Sequence, residues 1–132
     1  MRSKILMVTS SILMIAAGLV GLFGPAEILP AIGSAPTASL AILLQLFGAL
    51  YFGMGLINWI AKDNAIGGIY SRPLCAGNFA HFGIGSLVLL RPIFHNPGVA
   101  VMVGLVIYAV FAIFFGSLLF SQGPVGTTAP NR

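Results

Sequence analysis

Four long apolar runs, parted from one another by Gly, Pro or charge, organise this chain. The first, about residues 4–23, holds no charge from Ile5 to Phe23 and stops at Gly24-Pro25. Gly suits the position just past a helix end and Pro blocks continuation. The second covers about 38–61, with Thr37 or Ser39 as a cap. The third covers about 73–90, with Pro73 near the first helical position. The fourth covers about 97–120, with Asn96 as N-cap and Pro97 at the first helical position. Each is close to the ~20 residues a helix needs to cross a ~30 Å hydrocarbon layer. Backbone polar groups in lipid must pair within their own segment, so helices are the natural reading. The strict alternation of a barrel strand is absent. The pattern predicts an all-α polytopic membrane protein, four transmembrane helices in an up-down bundle over residues 1–120. The polar tail 121–132, with its Gly and Pro, is expected to be disordered.

The N-terminus also resembles a signal peptide, with basic Arg2 and Lys4 and small Ala16, Ala17 and Gly18. Its apolar run is longer than a usual signal core and long enough to span, which favours an uncleaved helix. Between the first two runs, GPAEILPAIGSAPT carries Pro25, Pro30, Pro36 and an apolar patch; an interfacial segment and a plain linker are equally compatible with it. KDNAIGGIYSR, with Gly67-Gly68, reads as a turn.

Composition sharpens the picture. Hydrophobic residues make up 58 % of the 132 and charged residues 6 %, with a mean hydropathy of +1.06. Ordinary soluble domains carry roughly 25 % charged residues. Two acids and six bases could not cover a soluble surface. The net charge of +4 is spread between the apolar runs rather than clustered, which argues against a nucleic-acid partner. Four crossings put Arg2, Lys4, Lys62, Arg72 and Arg132 on one side and only Arg91 on the other. That is a positive-inside pattern with both termini cytoplasmic. Cys75 is the only cysteine, so no intrachain disulfide and no paired-cysteine redox site can form.

The most polar stretch inside an apolar run is AGNFAHFGIG, residues 76–85. Gly77, His81 and Gly85 fall on one helical stripe, with Asn78 at its border. Small residues let another helix or a flat ligand approach the backbone closely. His81, near mid-membrane, should face protein, a cavity or a cofactor. Three roles compete. His81 can hydrogen-bond a neighbouring helix, with Gln45, Tyr51, Asn58 or Tyr108 as candidate partners. It can line a site for a lipid, a quinone or another hydrophobic molecule. It can also be an axial ligand of a haem or chlorophyll-type tetrapyrrole, since Gly77 four residues before it would let a macrocycle lie against the helix. A six-coordinate haem would need a second ligand, and His95 falls in the outer loop after Pro92. On the second run Tyr51, Gly55 and Asn58 share a face, and Gln45, Gly48, Phe52, Gly55 and Trp59 form a small-and-aromatic stripe. Gln45 and Asn58 lie on different sides of that helix and cannot both meet His81. Trp59, beside Lys62, reads as an interface anchor, and Ala17-xxx-Gly21 as a packing motif.

What is missing narrows the function. Glu27 and Asp63, the only acids, both fall in loops, and a cation-coupled exchanger would want a carboxylate inside the membrane. No spacing makes a metal site. Cys75 and His81 sit about 240° apart on their helix with ~9 Å of rise between them, which also argues against a Cys–His nucleophilic pair. No catalytic constellation is visible, and the chain is expected not to be an enzyme.

With LQLFGALYFGMGLINWIAK (44–62) followed by GNFAHFGIG (77–85), the chain resembles the DoxX-like small four-helix bacterial inner-membrane proteins. The shared features are four short-linked spans, a Gly- and aromatic-rich second helix and a third helix with embedded polar residues. Where such proteins commonly carry an arginine, this chain has Gln45. The resemblance covers most of residues 4–120. It implies the bacterial inner membrane and an accessory role beside a redox system, and it implies no catalytic residues. The expected function is an accessory or interaction subunit of a larger membrane assembly, or a homo-oligomer. The alternative is a binding module for a hydrophobic cofactor through His81. A small transporter or channel ranks third.

Overall fold

The computed structural model describes residues 2–63, 71–95 and 98–121, and among these every regular element is helical. Five α-helices follow in order: α1 (Arg2–Phe23), α2 (Pro25–Ala31), α3 (Ala38–Ala61), α4 (Ser71–Leu90) and α5 (Val99–Ser121), with a 3₁₀ turn at Arg91–His95 between the last two. Four of them are long and apolar enough to cross a membrane: Ser3–Phe23, Ala38–Ala61, Arg72–Ile93 and Val99–Ser121. They occupy the four runs expected from the sequence. Most of the turn around Gly67-Gly68, the Asn96-Pro97 cap and the tail from 122 onward lie outside the described residues.

The helix ends follow local chemistry. Thr37 adopts an extended conformation and its hydroxyl accepts the Leu40 amide at 3.3 Å, so of the two candidate caps the threonine serves. Pro73 is the third residue of α4, still within the first turn, where its missing N–H costs no helical bond. The Pro-rich connection is not a bare linker. Pro25 opens the seven-residue, roughly two-turn helix α2, Pro30 lies inside it, and Leu29 is buried. Gly33, at φ +78°, ends it by a left-handed turn that donates the Gly33 and Ser34 amides to the Pro30 and Leu29 carbonyls.

The chain forms two compact units, residues 1–65 and 66–132. In the first, α1 and α3 pack along their length, with α2 touching both. At the crossing, glycine meets backbone. A Cβ on Gly18 would stand 2.6 Å from the Phe52 nitrogen and 2.7 Å from the Gly48 carbonyl oxygen. One on Gly48 would stand 2.7 Å from the Leu22 nitrogen, and one on Gly55 2.8 Å from the Ile15 nitrogen. Only glycine permits so close an approach, the usual device where lipid supplies no hydrophobic drive for helices to associate. Ala17 is exposed, so the small-residue motif on α1 is Gly18 with Gly21 rather than Ala17 with Gly21.

The second unit packs α4 on α5 by a different device, a ladder of rings. Phe82 stacks on Phe111 at 4.8 Å and on Phe115 at 5.8 Å, and meets Tyr108 edge-on at 5.2 Å. Phe79 meets Phe120 edge-on at 6.0 Å and lies against Gly116. Offset and edge contacts of this kind are favoured by the ring quadrupole.

Candidate functional site

The third-span motif divides between several environments. Gly85 is filled by its neighbour: a Cβ there would stand 2.3 and 2.4 Å from two ring carbons of Tyr108. That seat brings the Tyr108 hydroxyl to 3.5 Å from His81 Nε2, at the long limit of a hydrogen bond, with the two ring centroids 5.6 Å apart. His81 is half-buried and also meets Phe82 edge-on at 5.0 Å. Asn78 is fully buried and its amide nitrogen donates to the Leu74 carbonyl one turn back at 3.0 Å. Gly77 is exposed, and nothing lies within 4 Å of a Cβ placed there.

The candidate partners on α3 have engagements inside their own unit. Asn58 is fully buried; its amide nitrogen donates to Ser10 Oγ at 3.2 Å and approaches Met14 Sδ at 3.7 Å. Ser10 in turn donates to the Met7 carbonyl at 3.0 Å. Gln45 reaches the other end of α1 and donates to the Leu22 carbonyl at 3.2 Å, one of the carbonyls that the last helical turn leaves without a partner. Tyr51 is half-buried. Trp59 is exposed, with the Lys62 ammonium 4.3 Å above its ring and 3.2 Å from its carbonyl.

The first unit is also closed by charge. Lys4 Nζ lies 2.6 Å from Asp63 Oδ1, and Lys62 Nζ 4.0 Å from Oδ2. The hydrogen bond from Lys4 holds the Asp63 carboxyl below its ordinary 3.8, desolvation opposes it as the next largest effect, and the charges of Lys4 and then Lys62 add to the lowering. Lys4–Asp63, Ser10–Asn58, Gly18–Gly48 and Leu22–Gln45 thus mark successive levels of one antiparallel register from end to end of the hairpin.

Several of these residues gave little sign of themselves in the sequence. Ser10 and Ser11 carry no spacing that marks them in the first run; both are fully buried, and Ser11 Oγ makes no hydrogen bond among the described residues. Phe82, Phe111 and Phe115 were indistinguishable from rings such as Phe47, Phe114 and Phe120, which are exposed. Among the described residues no group of three His, Cys, Asp or Glu side chains converges in a way that could hold a metal ion. No protein-family model, curated protein or solved structure matches the chain.

Proposed function

We propose that the chain is a four-span inner-membrane protein with both termini in the cytoplasm, working as an interaction subunit of a larger membrane assembly or as a homo-oligomer rather than as an enzyme. The observation that carries this reading is the use made of the third-span motif. Tyr108 occupies the space beside Gly85 and faces His81 Nε2, so Gly85 and His81 take part in packing α4 on α5. The surface left over is apolar on every long helix, from Ile12 and Val20 through Leu46, Phe47, Leu50 and Ile60 to Ile84, Leu87, Val106 and Ile113. Such faces pack against partner helices as readily as against lipid. Topology rests on the charge pattern, five of six bases on one side. The resemblance to DoxX-like proteins points the same way.

Cross-linking in native membranes, followed by the mass of the complex in mild detergent, tests the reading. A fixed multiple of this chain, or a fixed ratio to one other membrane protein, is the expected result; a monomer with no stoichiometric neighbour would contradict it.

A second reading has one observation of its own. The open space at Gly77, four residues before His81, leaves room for a flat hydrophobic ligand such as a tetrapyrrole or quinone against α4. It would have to reach His81 by displacing Tyr108 or by using Nδ1 instead of Nε2.

A further inference from the structure

The two acids of the chain have opposite circumstances. Asp63 is engaged by Lys4 and Lys62. Glu27 forms no ion pair or side-chain hydrogen bond among the described residues, and although it sits in the first turn of α2 it does not cap that helix. Its carboxylate instead folds back toward the end of α1, with Oε2 3.6 Å from where a Cβ on Gly24 would stand. There it lines an open groove of about 490 Å³ whose other walls are Leu19, Val20, Phe23, Gly24 and Ile28. Glu27 is the only charged side chain in that lining, and Phe23, part of the same lining, is 82 % exposed.

The depth of the groove is set by α1. The spanning segment Ser3–Phe23 has 21 residues. At 1.5 Å per residue that is about 31 Å, the thickness of the hydrocarbon layer. Leu19, Val20 and Phe23 therefore lie at the acyl-chain level and Glu27 at the headgroup level. A bare carboxylate above an apolar trough repels anionic headgroups and attracts a cation that carries its own acyl chain.

We propose that this groove binds a phospholipid with a primary-ammonium headgroup, of the phosphatidylethanolamine class. An acyl chain lies along Leu19, Val20 and Phe23, and the ammonium donates hydrogen bonds to the Glu27 carboxylate. A quaternary choline headgroup has the charge but no N–H to donate, so it fits less well. A glycerol headgroup lacks the cation. The site requires that the first hairpin span the membrane, but not that the chain recruit a protein partner, so the two readings fail separately.

The test is lipid selectivity in nanodiscs of equal parts phosphatidylethanolamine, phosphatidylcholine and phosphatidylglycerol, with protein-bound lipid counted by native mass spectrometry. The wild-type protein should retain the ethanolamine lipid roughly threefold over the choline lipid, the scale of one weak net hydrogen bond, since both headgroups carry the charge. Glu27→Gln should abolish that preference, and Glu27→Lys should shift it to the glycerol lipid. Glu27 is exposed, so neither change threatens folding. Equal retention of the three lipids by the wild type, or a preference that survives Glu27→Gln, overturns the proposal. So does a Glu27→Gln variant that changes the mass of the complex while leaving its lipids alone, since the carboxylate would then face a protein partner.

Discussion

Glycines at different positions in this chain have opposite surroundings, and single substitutions separate them. At Gly85 an added methyl collides with the Tyr108 ring. The ring has to move off His81 and out of its edge contact with Phe82. Gly85→Ala is expected to cost about 1–3 kcal/mol, the usual scale of overpacking. Gly77→Ala meets open space and should cost nothing, and a gain of up to about 1 kcal/mol is the ordinary effect of removing a helical glycine. Unfolding of both variants in the same detergent, followed by circular dichroism, checks the pair; equal losses would mean that Gly77 too sits in a contact. Asn58→Ala removes the bond to Ser10 and should cost on the order of 1 kcal/mol, the modest value typical of hydrogen bonds between membrane helices.

At the scale of elements, the hairpins are held by different physics. In the first, Gly18 and Gly48 put backbone against backbone, so Gly48→Ala has no flexible side chain to push aside and must part the helices. It should loosen the hairpin more than Gly85→Ala loosens its own, as a larger fall in the unfolding midpoint. The Lys4–Asp63 pair closes the same hairpin at its end and gives it a pH dependence of known sign. Because the folded carboxyl lies below 3.8, the contribution of the pair is whole above that value and is lost as pH falls through the lower folded value. Asp63→Asn should therefore be less thermally stable than wild type at pH 6, and the difference should shrink as pH falls below 3.8. The existence of each long helix was legible in the sequence because twenty apolar residues between breakers admit little else. Which face is inward was not. In lipid the outside is as apolar as the inside, so no polar stripe marks the surface, and Ala17 looked as good a packing residue as Gly18. The same ambiguity hid the Phe82–Phe111–Phe115 ladder among ten phenylalanines. The short α2 was hidden by its prolines, which read as breakers although Pro25 stands where a helix start tolerates it.

Reporter fusions at residue 1, the 62–72 turn and residue 132 should all report the cytoplasm, and one near Arg91 the opposite side; termini on opposite sides would break the four-span reading. The sequence offered His81 four candidate partners, and its contact with Tyr108 follows from the packing of α4 on α5, which no spacing within one helix reveals. The central claim is that this motif packs helices and that the molecule acts through its apolar outer surface on other membrane proteins. The most direct measurement is a visible absorption spectrum, with quantitative mass spectrometry, of the protein extracted in mild detergent from its native membrane. The expected result is a colourless preparation in fixed ratio to a membrane partner or to a second copy of itself, unchanged in composition by His81→Ala if folding is retained. A Soret or chlorophyll-type band that disappears in His81→Ala would contradict it and make residues 77–85 a ligand site.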